Sequence, residues 1–406
     1  MIDNRMGDSG MEDNRIQDNR MEDKEDYLST LNERQLDAVT TTEGYVRIIA
    51  GAGTGKTKAL THRYAYLVNE LGISTSNILC VTFTNKAARE MSKRIRQMIG
   101  DSDTGYICTF HGFCVKLLRE DIHAINFPQN FVVMDDEDTE EILKTVYENA
   151  HIQSRTYTFD SARDHITALK SQRLHIPYLA EIGNEKLLAD YEKAEKVEDK
   201  VFLGYLYEQK KVYGLDYDDL ITIALYILQT DETKRIKWQE RMMYVMVDEF
   251  QDVSNSQYAL AEILSGYHRN LFIVGDPDQT IYTWRGAQIE YILEFDETHE
   301  NTRTIFLDMN YRSTPEILAV SNSLIEKNKK RLPHRLEAYK ESGRRPIYIH
   351  SRTTGDEAQW MTSEIQRLVS EGASYNEMAV LYRSHFVRQR FRIHCTVEWS
   401  FIKEKR

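Results

Sequence analysis

Short apolar runs alternate with segments of helical periodicity through most of this chain. Residues 46–50, 78–82, 106–109, 244–248, 271–275 and 304–308 are apolar at nearly every position. Strands buried on both faces read this way, and the segments between them carry apolar residues at helical spacing. The pattern predicts an α/β fold, a parallel sheet with helices on both faces. From Thr109 to Met243 helical periodicity and charge dominate, notably over residues 135–150 and 187–213, which predicts a helical insertion into the sheet domain. After Asn310 a second α/β unit begins, with strands predicted at 346–351 and 378–382. Residues 1–27 fall outside the pattern: they repeat a polar Asp-Asn-Arg unit, are nearly free of aromatic and β-branched residues, and read as a disordered tail.

Composition narrows the class only a little. None of the 406 residues lies in an apolar stretch approaching the roughly 18 that a membrane span needs, and the start of the chain is too acidic for a secretory leader. Cys80, Cys108, Cys114 and Cys395 have neither metal-ligand spacing nor disulfide density, which fits a reducing cytoplasm. The net charge is −12, and residues 1–27, with nine acids and four bases, supply −5 of it. The rest of the chain is therefore only mildly acidic, and charge neither favours nor excludes nucleic acid.

Candidate chemistry gathers where apolar runs end. Ala50-Gly51-Ala52-Gly53-Thr54-Gly55-Lys56-Thr57 follows the first run directly and opens a helical pattern. Glycines let backbone N–H groups turn inward on a phosphate, Lys56 reaches β- and γ-phosphates, the Thr57 hydroxyl suits Mg²⁺, and the new helix points its positive end at the anion. The usual loop begins with glycine, where Ala50 stands here. The run 244–248 ends in Asp248-Glu249, suited to holding Mg²⁺ through Asp248 and to orienting or deprotonating water through Glu249. The run 271–275 leads to Gln279, which could sense a γ-phosphate, and then to Tyr282, Trp284 and Arg285, a set suited to stacking on unpaired bases or to plugging a loop. Phe83 and the segment Thr109-Phe110-His111 also sit at run ends, where open parallel sheets bind ligands; His111 serves equally as a satisfied loop histidine.

Together these segments resemble the UvrD/PcrA/Rep family of superfamily one DNA helicases. The matches run in family order: Leu31–Val39, Ala50–Leu60, Val81–Met91, Thr109–His111, Leu215–Ile221, Val247–Asp252, Gly275–Ala287 and Asn310–Ser313, covering about residues 28–385. The resemblance implies a RecA-like P-loop domain from residues 28–110 and 222–308, a helical insertion at 111–221, and an incomplete second RecA-like domain at 309–406. It implies that Gln35 reads adenine and Tyr311 stacks on it. Residues 50–58, Ala50 to Lys58, would cradle the phosphates of ATP, with Thr57 and Asp248 on Mg²⁺. Lys56, Glu249, Gln279 and Arg312 would be catalytic, and Phe83, Asn85, Tyr282, Trp284 and Arg285 would hold DNA. The implied activity is ATP-dependent 3′-to-5′ movement on single-stranded DNA or a 3′-tailed duplex, with protein partners unspecified.

The resemblance also sets an expectation of loss. The family's Thr-x-His-x-x-Lys-Gly-Leu-Glu segment and a later arginine that completes the ATP site are not found. Residues 393–406 match nothing expected, yet permitted codons for them, read in another frame, yield Thr-Leu-Tyr-Ser-Gly-Val-Glu-Phe-Tyr, similar to the family's continuation. The expectation is a frameshift near residues 386–392 and a truncated chain impaired in hydrolysis and unwinding. The alternatives are a non-catalytic ATP- or DNA-binding fragment and a small-molecule kinase. The kinase reading accounts for residues 50–57 and leaves Phe83 and Trp284 without a purpose.

Overall fold

The computed structural model describes residues 27–100 and 103–382; the N-terminal repeat up to residue 26, the expected frameshift region and the 393–406 tail lie outside the described residues. The chain divides between Gly343 and Arg344 into two compact units.

The first unit is built on β1 (Tyr45–Ala50), β2 (Ile78–Val81), β3 (Tyr106–Cys108), two short strands β4 (Val132–Val133) and β5 (Gly214–Leu215), then β6 (Tyr244–Val247), β7 (Leu271–Gly275) and β8 (Arg303–Leu307). The central sheet has the order β3-β2-β6-β7-β1-β8, and each neighbouring pair is parallel. β4 pairs with β5 alone. The expected α/β class and all six expected strands are present, within a residue or so of their expected ends.

Alternate residues of each strand enter opposite cores, as the pleat requires. Ile49, Leu79, Val81, Val245, Val247, Leu271 and Ile273 join Phe113, Leu117, Trp238 and Leu260 on one face. Val46, Ile48, Cys80, Met246, Phe272 and Val274 join Leu60, Tyr64, Met91 and Ile95 on the other. Burial on both sides explains why the strands show no polar alternation. Arg47 is the exception inside β1. Its buried guanidinium donates to Thr304 Oγ1, to the carbonyls of Ile292 and Leu293, and pairs with Asp296 at 2.6 Å, so its polar atoms are matched.

A third core, with Met134, Leu143, Tyr147, Ile166, Leu187, Val201 and Tyr205, belongs to helices between β4 and β5. The helical pattern expected at 187–213 forms two helices, Glu185–Lys193 and Val197–Lys211. The chain must fold back here: a Cβ on Gly204 would lie 3.3 Å from the Tyr191 ring and 2.9 Å from Val146. In one straight helix residues 191 and 204 would be about 20 Å apart.

Residues 309–343 pack with the first unit, through β9 (Met309–Asn310), the helix Pro315–Ile325 and β10 (Glu337–Ala338), which pairs with β9. In the second unit the described residues hold one helix, Thr354–Ser370, and a 3₁₀ turn, Tyr375–Glu377. The strands expected at 346–351 and 378–382 are not formed. A strand needs a neighbour to take its backbone N–H and C=O groups, and these segments have no ladder partner among the described residues. Their apolar side chains stand in solvent, Tyr348 at 86% and Leu381 at 94% exposure.

Candidate functional site

Five strands of the first unit end on one edge in register: Ile49 lies beside Gly275, Ile273 beside Val247, and Val247 beside Val81, which is beside Cys108. The segments 50–57, 83–86, 109–111, 248–252 and 276–287 all leave the sheet on this edge. Local capping turns the chain from strand into helix there: Thr84 and Thr109 accept from the N–H groups of Ala87 and Gly112, and Ser254 forms a reciprocal box with Gln257.

The loop after β1 is held from three sides. Gly53 and Gly55 have φ of +76° and +90°, conformations open to glycine. The Thr54 hydroxyl donates to the Gly51 carbonyl (2.8 Å), and Gln35 Nε2 donates to the Thr54 carbonyl (2.9 Å). Gln35 also closes a capping box with Asn32, whose side-chain N–H donates to Tyr311 Oη at 2.7 Å. The Tyr311 N–H donates to the Gly53 carbonyl (2.9 Å), and its ring lies 4.9 Å from that of Tyr339. Asn310 donates to the Ala52 carbonyl and accepts from the backbone of Arg312 and Ser313. A Cβ on Gly53 would come within 2.6 Å of Arg312 Cβ, and one on Gly51 within 2.6 Å of Leu336. Ala50 is fully buried at the end of β1. Gln35, Tyr311 and Arg312 are thus brought to the loop. Lys58 aims elsewhere, its ammonium donating to the Thr30 carbonyl at 2.5 Å.

Lys56 and Thr57 begin the helix Lys56–Asn69. Lys56 Nζ sits 3.1 Å from Glu249 Oε2. Glu249 has a left-handed backbone, φ +48°, where a non-glycine residue is strained. Its neighbour Asp248 is buried, accepts from the Thr82 hydroxyl at 3.4 Å, and its Oδ1 is buried without a hydrogen-bond partner. Burial first, and the charge of Glu249 second, push the Asp248 carboxyl up to about 6. An orphaned carboxylate oxygen beside an acid and a lysine is what a divalent cation would satisfy, so this site fits Mg²⁺.

Gln279 is exposed and turned back: its side-chain amide donates to Asp276. Beyond it Tyr282 stacks on Phe83, with centroids 5.6 Å apart and planes at 13°. Trp284 lies 6.3 Å from Tyr282 and is 72% exposed. Asn85 is the exposed first residue of the helix Asn85–Ile99, beside Phe83, and Arg285 closes the turn Thr283–Arg285. His111 packs edge-on against Tyr217, and burial lowers its pKa.

Four residues of the site carried no assigned role in the sequence reading: Asn32, Asn310, Leu336 and Gln251. Asn32 is legible as the cap three residues before Gln35, and Asn310 as an Asn opening a turn. Leu336 acts through tertiary contact, which no local pattern records, and Gln251 ties its neighbours Glu249 and Asp252 to the distant Asp276 N–H.

Residues 31–300 match the UvrD/REP helicase N-terminal domain, and residues 305–394 the UvrD-like helicase C-terminal domain. The chain is 38% identical over 365 residues to the ATP-dependent DNA helicase PcrA of Staphylococcus aureus strain Mu50, covering 88% of this chain and 48% of that one. It is 37% identical over 367 residues to the PcrA of Staphylococcus epidermidis strain ATCC 12228, again 88% and 48%. The chain spans about half the length of these relatives. No helix among the described residues is long and apolar enough to cross a membrane. With the loop, the acid pair and the aromatic ledge on one sheet edge, and with these matches along most of its length, the chain belongs to the UvrD/REP helicase family.

Proposed function

We propose that this chain carries the nucleotide-binding wall of an ATP-driven motor that grips single-stranded DNA, or the single-stranded 3′ tail of a duplex, and steps 3′ to 5′. The observation that carries this reading is the convergence of Lys56, Glu249 and the unpartnered Asp248 oxygen at one sheet edge, with the stacked Phe83–Tyr282 pair on the same edge. The organisation we favour remains residues 28–110 with 222–308 as motor domain, 111–221 as helical insertion, and 309–406 as part of a second domain.

Each side chain then has a task. Residues 50–57 wrap the phosphates with backbone N–H groups, Gln35 reads the adenine edge, and Tyr311 stacks on the ring. Lys56 leaves Glu249 for the β- and γ-phosphates. Thr57 and Asp248 would hold Mg²⁺, which neutralises phosphate charge as it is redistributed. Glu249, released from Lys56, takes the proton of the attacking water. Gln279 and Arg312 report the γ-phosphate, while Phe83, Asn85, Tyr282, Trp284 and Arg285 hold bases and backbone.

The test is binding and turnover by these 406 residues. A fluorescent oligo-dT and a fluorescent ATP analogue should both bind, nucleotide binding should need Mg²⁺ and Lys56, and Lys56→Ala should abolish it. Hydrolysis by this chain alone should be slow, because the family site includes an arginine from an opposing domain, whose absence costs about 10³–10⁵ in rate. Binding of both ligands without DNA-stimulated turnover would favour the non-catalytic fragment. ATP binding without any affinity for oligo-dT would sink the motor reading.

A further inference from the structure

Gln251 is 2% exposed and lies between the two halves of the site. Its Nε2 donates to Glu249 Oε2 at 3.0 Å and to Asp252 Oδ2 at 3.3 Å, and its Oε1 accepts the Asp276 N–H at 2.9 Å. Each of these partners leads somewhere. Glu249 holds Lys56 of the phosphate loop. Asp276 accepts from Gln279, and the adjacent Asp278 is pinned by Arg331 at 2.9 Å. Asp252 Oδ1 accepts the Ile281 N–H at 3.4 Å, next to Tyr282, the residue stacked on Phe83. The same segment supports the aromatic loop by its backbone: the Gln288 N–H donates to the Val253 carbonyl, and Ser254 bridges Ala287. Gly275 at the end of β7 leaves room for this amide: a Cβ there would come within 2.5 Å of Gln251 Oε1.

Resting on the function proposed above, we propose that Gln251 is a positioning residue that couples nucleotide occupancy to the grip on single-stranded DNA. It touches neither ligand. One amide group is shared between Glu249 and Asp252. When phosphate draws Lys56 away and Glu249 turns toward water, the Gln251 donors fall to Asp252 alone. Asp252 then shifts its hold on the Ile281–Tyr282 backbone, and with it the stacking ledge. The reverse path operates when a base on Tyr282 moves that backbone.

Coupling of this kind is reciprocal. In the wild-type chain, a non-hydrolysable ATP analogue with Mg²⁺ should change oligo-dT affinity by about fivefold or more, and oligo-dT should change analogue affinity by the same factor. Gln251→Met keeps the volume and loses the hydrogen bonds; each ligand should still bind alone, while the factor falls to one. Gln251→Glu keeps the acceptor for Asp276 N–H and loses both donors. It should lose coupling too, and it serves if the Met variant fails to fold. A merely structural role would lower both affinities and the melting temperature and leave the ratio intact. The inference is overturned if either folded variant keeps the wild-type factor, or if wild type binds both ligands with no mutual effect. A wild-type chain that binds neither ligand overturns the proposed function instead, and this inference with it.

Discussion

Asp248→Asn should make the ligand-free protein more stable and unable to use Mg²⁺. The Asp248 carboxyl is raised from 3.8 to about 6, chiefly because burial disfavours its charge. At about 1.4 kcal/mol per unit, ionised Asp248 costs the empty fold about 3 kcal/mol. Asparagine removes the charge, but one side of its amide also faces the position where Oδ1 has no partner, returning about 1 kcal/mol of that gain. The net gain of about 2 kcal/mol corresponds to a melting temperature higher by about 3 °C. The sign with pH follows from the direction of the shift. A raised carboxyl pKa lets the unfolded chain ionise first, so the penalty grows as pH rises from about 4 and is complete above about 6. Melting followed by circular dichroism in EDTA should therefore show the full gain near pH 7.5 and about a third of it near pH 5. Adding Mg²⁺ and nucleotide should raise the wild-type midpoint and leave the variant unmoved. A variant that melts at or below wild type near pH 7.5, or a gain that does not shrink toward pH 5, would refute the reasoning.

Three further outcomes follow from other parts of the structure. Lys170 is fully buried with Asp216 at 2.5 Å and Asp219 at 2.9 Å, so Lys170→Met strands two buried carboxylates and should cost about 3–5 kcal/mol, read as a lower urea midpoint. Trp284→Ala should weaken oligo-dT binding by about 1–3 kcal/mol in an anisotropy titration, with no change in melting temperature because the ring is exposed. Gly53→Ala forces a Cβ onto a φ of +76° and against Arg312, and should weaken ATP-analogue binding by about 1 kcal/mol or more; unchanged affinity would show that the loop opens freely there.

The sheet was legible because its strands are buried on both faces, so the short, nearly unbroken apolar runs between helical segments point to β. The break at Ala194–Lys196 was not legible: no glycine or proline marks it, and what accompanies it is a tertiary contact, the Tyr191 ring lying against Gly204. Residues 346–351 show the converse. Their apolar pattern is that of a strand, but a strand is completed by its neighbour, and pattern alone supplies none. In the site, Lys56, Asp248 and Glu249 were readable because phosphate and metal chemistry restrict which residues serve. Gln251 was not, because its amide links its near neighbours Glu249 and Asp252 to Asp276, 25 residues on, and that last contact leaves no local pattern.

The resting site is assembled but quenched by its own charges. Lys56 and Glu249 neutralise each other, one 11% and the other 37% exposed, and such a half-solvated pair is worth about 1 kcal/mol or less. That is strong enough to avoid an unpaired ammonium beside a loop built for anions, and weak enough for a triphosphate to displace. The strain at Glu249, φ +48°, adds to the ease of release. On the function proposed above, exchange of the Lys56 partner would be the first event of nucleotide binding. It would free the glutamate for water and pass to Gln251, so that in this proposal chemistry and DNA grip start from the breaking of the same ion pair.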